Sequence, residues 1–189
     1  VIISGRHETA AAAAVSAQLG DDLAWRIPDV VQHVPLGAVA RALEAALDVT
    51  AGVLVSIGGG SATGLAKAIA RDAGLPIVAV PTTYAGSEMT PIWGQSDQGA
   101  KTTGRDPQVL PRVVVYDPAL TVSMPAELTA ASGMNALAHA VESLYAPDRT
   151  PQSSDLAEAA IRALVLGLPR AVSKPDDLQA RTETLRGAW

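Results

Sequence analysis

Asn135 and His139, in the stretch SGMNALAHAVE (132–142), are four residues apart. On a helix they stand one above the other on the same face. Two groups at that spacing can serve one metal ion, or can present two hydrogen bonds to one ligand oxygen. An amide oxygen is neutral and a weak ligand for a divalent transition metal, which prefers a carboxylate or an imidazole. The other two histidines, His7 and His33, fall near the exit of a first strand pattern and within a second one. Neither is placed to complete a metal site.

A glycine-rich stretch, SIGGGSATG (56–64), follows an apolar run and opens a helical pattern. In that context glycines let backbone approach a phosphate, while the helix N-terminus offers N–H groups and a positive dipole. The familiar signatures fail here. From Gly58, the dinucleotide pattern would need glycine at Thr63, and a P-loop would need lysine at Leu65, with Lys67 coming too late. The hydrolase pattern G-x-S-x-G is absent as well. A tight turn alone rarely needs three consecutive glycines. A second polar stretch, PTTYAGSEMTP (81–91), ends the next apolar run and carries the hydroxyls of Thr82, Thr83, Tyr84 and Ser87. Hydroxyls also cap turns, but two such loops at adjacent strand ends suit a ligand crevice.

Positioning these groups requires strands that end at them and helices that begin there. VIIS (1–4), VVQHV (30–34), GVLVSI (52–57), LPIVAV (75–80) and PRVVVYD (111–117) read as strands, the longer runs being of the kind buried on both faces. Helical patterns alternate with them: one from Thr9 to Leu19, one in LGAVARALEAAL after Pro35, and one with Ser61 as N-cap and Gly74 past its end. Strands alternating with helices imply a parallel sheet. Between Met89 and Pro111 the pattern breaks, which predicts a loop or β-excursion. After Asp117-Pro118 only helices remain, over 127–146, 152–168 and 176–189. The expected fold is therefore α/β: a Rossmann-like parallel-sheet nucleotide-binding domain over 1–122, then an all-helical domain over 123–189. The chain opens on a strand pattern and closes on an apolar Trp189, so it is expected to be an incomplete piece of a longer protein.

Composition narrows the function classes. The 189 residues are 48% hydrophobic with no Phe, so the core must be aliphatic. A net charge of −5 argues against a nucleic-acid or anionic-membrane surface. The absence of Cys excludes disulfides and thiol catalysis and fits a cytoplasmic protein.

GGGSATGLAKAIA, LPIVAVPTTYAGSEMTPI, KTTGRDPQVLPRVVVYDPALT and SGMNALAHAVESLYA together resemble the maleylacetate reductases. These form a branch of the iron-containing alcohol dehydrogenase and dehydroquinate-synthase-like superfamily. The match runs from about residue 53 to 146, and PTTYAGSEMTP is its most specific phrase. The resemblance implies reduction of maleylacetate to 3-oxoadipate with NADH or NADPH in aromatic-compound breakdown, by a homodimer with its site in a cleft between two domains. It implies that Gly58, Gly59, Gly60 and Ser61 hold the pyrophosphate, that Thr82, Thr83, Tyr84 and Ser87 line the nicotinamide end, and that Lys101 stands near the nucleotide. Two departures from the wider superfamily matter: Gly64 and Asn135 each stand where alcohol dehydrogenases carry Asp. With Ser4, Gly5 and Arg6 at the first strand's end, the choice between NADH and NADPH stays open.

The chemistry this implies can proceed without metal. Hydride adds to the alkene carbon β to a ketone, and the resulting enolate oxygen needs hydrogen-bond donors or a Lewis acid. Asn135, His139 and Tyr84 are the expected catalytic residues, with no metal ligand assigned. The substrate is a small dicarboxylate, for which Lys101 and Arg105 are local cations. A metal-dependent alcohol or polyol dehydrogenase of the same superfamily and a non-catalytic nucleotide-binding fragment are the alternatives.

Overall fold

Apolar runs without alternation make strands that are covered on both faces, and the N-terminal half of the chain is built on them. In the computed structural model, which describes residues 1–28 and 30–189, strand β1 (Ile2–Ser4) leads through a turn into helix α1 (Thr9–Leu19). A short β2 (Arg26–Ile27), helix α2 (Leu36–Asp48), β3 (Leu54–Gly58), α3 (Gly60–Ala73) and β4 (Ile77–Pro81) follow. A hairpin of β5 (Ile92–Asp97) and β6 (Ala100–Arg105) precedes the last strand, β7 (Val113–Val114). The helices α4 (Ala126–Ser143), α5 (Pro151–Ser173) and α6 (Leu178–Ala188) complete the chain.

The strands pair in parallel in the order β2-β1-β3-β4-β7. Ile2 faces Arg26 on one side and Val55 on the other, and Val55 faces Val78. The chain thus builds outward from β1 to β2, then returns past β1 to lay down β3. That reversal makes β1 and β3 the topological switch point, where open α/β sheets bind ligands beyond their carboxyl ends.

Contacts divide the chain into two compact units: Val1–Pro81 with Ser87–Val115, and Thr82–Gly86 with Tyr116–Trp189. The first holds the sheet and an aliphatic core of Ile3, Val39, Leu54, Leu65, Ile69 and Ile77. In the second, α5 packs on α4 and α6 around Tyr84, Met124, Leu164 and Leu185. Close approach there depends on Gly167, where a Cβ would come within 2.9 Å of the Thr184 backbone nitrogen. Thr150 and Ser153 begin α5 with a reciprocal capping box.

Three sequence expectations are corrected. VVQHV (30–34) is not a strand: His33 and Val34 have φ of 65° and 51°, a left-handed pair that cannot extend. Their carbonyls are taken by Ser96 of the hairpin, through its hydroxyl at 2.9 Å to His33 and its N–H at 3.2 Å to Val34. Arg26–Ile27 fills the sheet position instead. Gly59, not Ser61, is the N-cap of α3, so Ser61 lies inside the first turn. The second helix pattern of the C-terminal region, expected to stop at 168, runs through Pro169 to Ser173. Gly74 does end α3, with φ of 70° and its N–H bonded to the Ala70 carbonyl at 2.8 Å. The irregular stretch 89–111 is an antiparallel hairpin whose two-residue loop, Gln98-Gly99, has both φ positive.

Candidate active site

The glycine loop sits at the switch point. Gly58, the last residue of β3, has φ of 149°, and a Cβ there would stand 2.9 Å from that of Ala62, so glycine is required. Gly59 does not share that need, because its φ of −81° and ψ of −162° suit any residue. Gly60 opens α3 in helical conformation. Conformation therefore explains one glycine of three, and the other two leave bare backbone at a helix N-terminus. Such a cradle fits a pyrophosphate. Glu8 reaches over it: its carboxylate carbon is 3.6 Å from where a Gly58 Cβ would be, and one oxygen is 2.7 Å from the same point at Gly5.

Lys67 comes too late after Gly64 for a P-loop. Its side chain is fully buried, and its ammonium group donates to the carbonyls of Ser87, Thr90 and Ile92 at 2.6, 2.7 and 2.7 Å. A three-fold donor thus meets three acceptors, and the segment after the second polar loop is tied to α3. Burial pushes the ammonium pKa down to about 8, with the charge of Glu88 opposing. Helical spacing carried the signal, since Lys67 repeats the buried face of Thr63 and Ala70.

The hydroxyl-rich loop is divided. Thr82, Thr83 and Tyr84 belong to the helical unit and Ser87 to the α/β unit. Tyr84, expected among the catalytic residues, is instead a core residue. Its side chain is fully buried, its backbone N–H donates to the Ser132 hydroxyl at 3.0 Å, and its hydroxyl lies 3.4 Å from Thr121 Oγ1. Arg181, also fully buried, donates to that hydroxyl at 3.3 Å and to Thr129 at 3.0 Å. The phenol is enclosed by its own unit, with Thr121 and Arg181 as its partners. Its position arises from long-range packing by α6, which no local pattern announces.

Asn135 and His139 are both exposed on α4, one turn apart. His139 Nδ1 lies 3.3 Å from a Glu142 carboxylate oxygen, a contact that orients the ring. Among the described residues no group of three or more His, Cys, Asp or Glu could hold a metal ion. An amide and an imidazole are, by themselves, a poor donor set for iron. Lys101 is exposed in β6, where it pairs with Ser96. No helix among the described residues is long and apolar enough to cross a membrane.

Comparison with known proteins matches these features. Residues 1–118 match the iron-containing alcohol dehydrogenase family, and residues 129–189 match the C-terminal part of the Fe-containing alcohol dehydrogenase family. Maleylacetate reductase 2 of Cupriavidus pinatubonensis is 58% identical over 93% of this chain and 49% of its own length. The crystal structure of maleylacetate reductase from a Rhizobium species superposes with a TM-score of 0.95 at 46% identity, covering 100% of this chain and 54% of that one. Sulfoacetaldehyde reductase from Bifidobacterium kashiwanohense, solved in complex with NAD+, gives 0.89 at 25% identity over 99% of this chain and 56% of that one. The chain spans about half the length of the relatives it matches. The family match over most of its length and the fold shared with these structures show that the chain belongs to the iron-containing alcohol dehydrogenase family.

Proposed function

We propose that the protein reduces the conjugated carbon–carbon double bond of maleylacetate, giving 3-oxoadipate, with NADH or NADPH as reductant. The observation that carries this reading is Asn135 one turn from His139 on α4, in a chain 58% identical to a maleylacetate reductase. An amide in that position suits hydrogen bonding better than metal ligation.

In this reading, Gly58, Gly59, Gly60 and Ser61 cradle the pyrophosphate, Thr82, Thr83 and Ser87 contribute hydroxyls toward the nicotinamide end, and Lys101 supports the nucleotide. Lys67 fixes the Ser87 segment. When bound, the reduced nicotinamide supplies a hydride to the alkene carbon β to the ketone. The π electrons move onto the ketone oxygen, and Asn135 and His139 donate hydrogen bonds to the enolate oxygen that forms there. A proton then adds to the α carbon and restores the ketone. His139, held by Glu142, is the local group able to deliver it. Metal is not required for this sequence. The reading also includes a cytoplasmic homodimer acting on a small dicarboxylate, with neither nucleic acid nor membrane as partner.

The test is product formation by the intact protein. Maleylacetate and a panel of primary alcohols and diols are supplied with reduced or oxidised cofactor, and products are quantified. Formation of 3-oxoadipate in one-to-one ratio with cofactor oxidised supports the proposal. Alcohol oxidation with no loss of maleylacetate would overturn it.

A further inference from the structure

A cavity of about 390 Å³ opens beside the switch point, lined by Ser4, Gly5, Arg6, Thr9, Arg26 and Pro28. Its place in the fold is specific. Ser4 ends β1, Arg26 lies in β2, and the two strands pair through Ile2 and Arg26. The cavity is therefore on the far side of β1 from the glycine cradle of β3. A dinucleotide with its pyrophosphate on that cradle directs its adenosine end along the carboxyl edge of the sheet, and the ribose next to β1 is the one that distinguishes the two nicotinamide cofactors. An acidic side chain there accepts from both ribose hydroxyls, whereas an arginine accommodates a 2′-phosphate.

Among the described residues that line it, none is acidic and two, Arg6 and Arg26, are arginines. Arg6 is exposed and Arg26 half-buried, so their guanidinium groups can be reached by a ligand and can grip a phosphate through paired N–H groups. The backbone that carries Arg6 is fixed by the Thr9 hydroxyl, which donates to the Arg6 carbonyl at 2.9 Å. The start of α1 adds its positive end to the same cavity. A competing group is Glu8, whose carboxylate lies against Gly5, at the cavity's edge, and against Gly58 of β3. It could hold a ribose hydroxyl on that side, and it opposes a phosphate with one negative charge against two positive ones.

We propose that Arg6 and Arg26 form a 2′-phosphate site and that the protein prefers NADPH to NADH. This rests on the reading that the crevice at β1 and β3 receives a dinucleotide. The shared ligand chemistry is an adenosine 2′-phosphomonoester.

The experiment measures Kd of the intact protein for NADPH, NADH, adenosine 2′,5′-bisphosphate and 5′-AMP by calorimetric titration. The expected result is at least tenfold tighter binding of NADPH than of NADH, and of the bisphosphate than of 5′-AMP. In the double variant Arg6→Ala/Arg26→Ala both ratios fall toward one, and Arg6→Lys/Arg26→Lys keeps part of them. Equal or tighter binding of NADH overturns the proposal, and reversal of that preference by Glu8→Gln would assign specificity to Glu8 instead. A ratio unmoved by the double alanine variant overturns it too. If none of the four nucleotides binds, the dinucleotide reading itself falls, an outcome distinct from NADH binding alone.

Discussion

The ammonium nitrogen of Lys67 lies 2.6 Å from the carbonyl oxygen of Ser87, with two further carbonyls, of Thr90 and Ile92, at 2.7 Å. A helix buried in the α/β unit thereby sets the path of the chain that follows the hydroxyl-rich loop. Lys67→Met keeps much of the stem's volume and leaves three acceptors without their donor. Unsatisfied buried acceptors and lost charge-assisted bonds predict a loss of about 2–4 kcal/mol in urea unfolding. A loss below a few tenths would show that the tether contributes nothing.

The same lysine gives a pH signature with a fixed sign. Its pKa in the folded chain is about 8, below the ordinary lysine value of 10.5, chiefly through burial. Between those values the unfolded chain binds more protons, so this group's contribution to stability rises with pH. The stability gap between wild type and Lys67→Met is therefore expected to widen from pH 8 to pH 10. Unfolding curves across that range check it, and a narrowing gap would contradict it.

Asn135→Ala and His139→Ala each remove a donor from the proposed enolate site. Losses of about 100-fold or more in kcat, with smaller changes in KM, are expected from steady-state rates on maleylacetate. Equal effects on KM alone would place both residues in binding rather than in the chemical step.

Tyr84→Phe separates core from catalysis. The phenol is enclosed with Thr121 and Arg181 as its partners, so removing the hydroxyl is expected to cost about 1 kcal/mol of stability and to leave kcat within twofold. A drop in kcat with unchanged unfolding would restore a catalytic role.

Gly58→Ala introduces a methyl group at φ of 149°, 2.9 Å from the Ala62 Cβ. Strain of about 1–3 kcal/mol is expected in unfolding, along with weaker binding of nucleotide as the α3 N-terminus shifts. Titration with NADH and NADPH measures the second effect.

The sheet was legible because GVLVSI and LPIVAV are unbroken apolar runs, each followed by a helix that covers them. Strand 30–34 was misread because its backbone is decided by Ser96, far along the chain, and apolar content alone could not register a left-handed His33-Val34 pair. The glycine cradle was visible locally, as was the Asn135–His139 pair on one helix face. The burial of Tyr84 and Lys67 was not legible, since the partners that enclose them come from α6 and from the segment 87–92. Arg6 is visible at the first strand's end, but Arg26 joins it only because β1 and β2 pair.

The most direct measurement is the initial rate of NADPH and NADH oxidation by the intact protein with maleylacetate, after chelator treatment and desalting. The account predicts a rate undiminished by metal removal and not raised by added iron or zinc. A rate that vanishes with the metal and returns on its addition would contradict an enolate site formed by Asn135 and His139 alone.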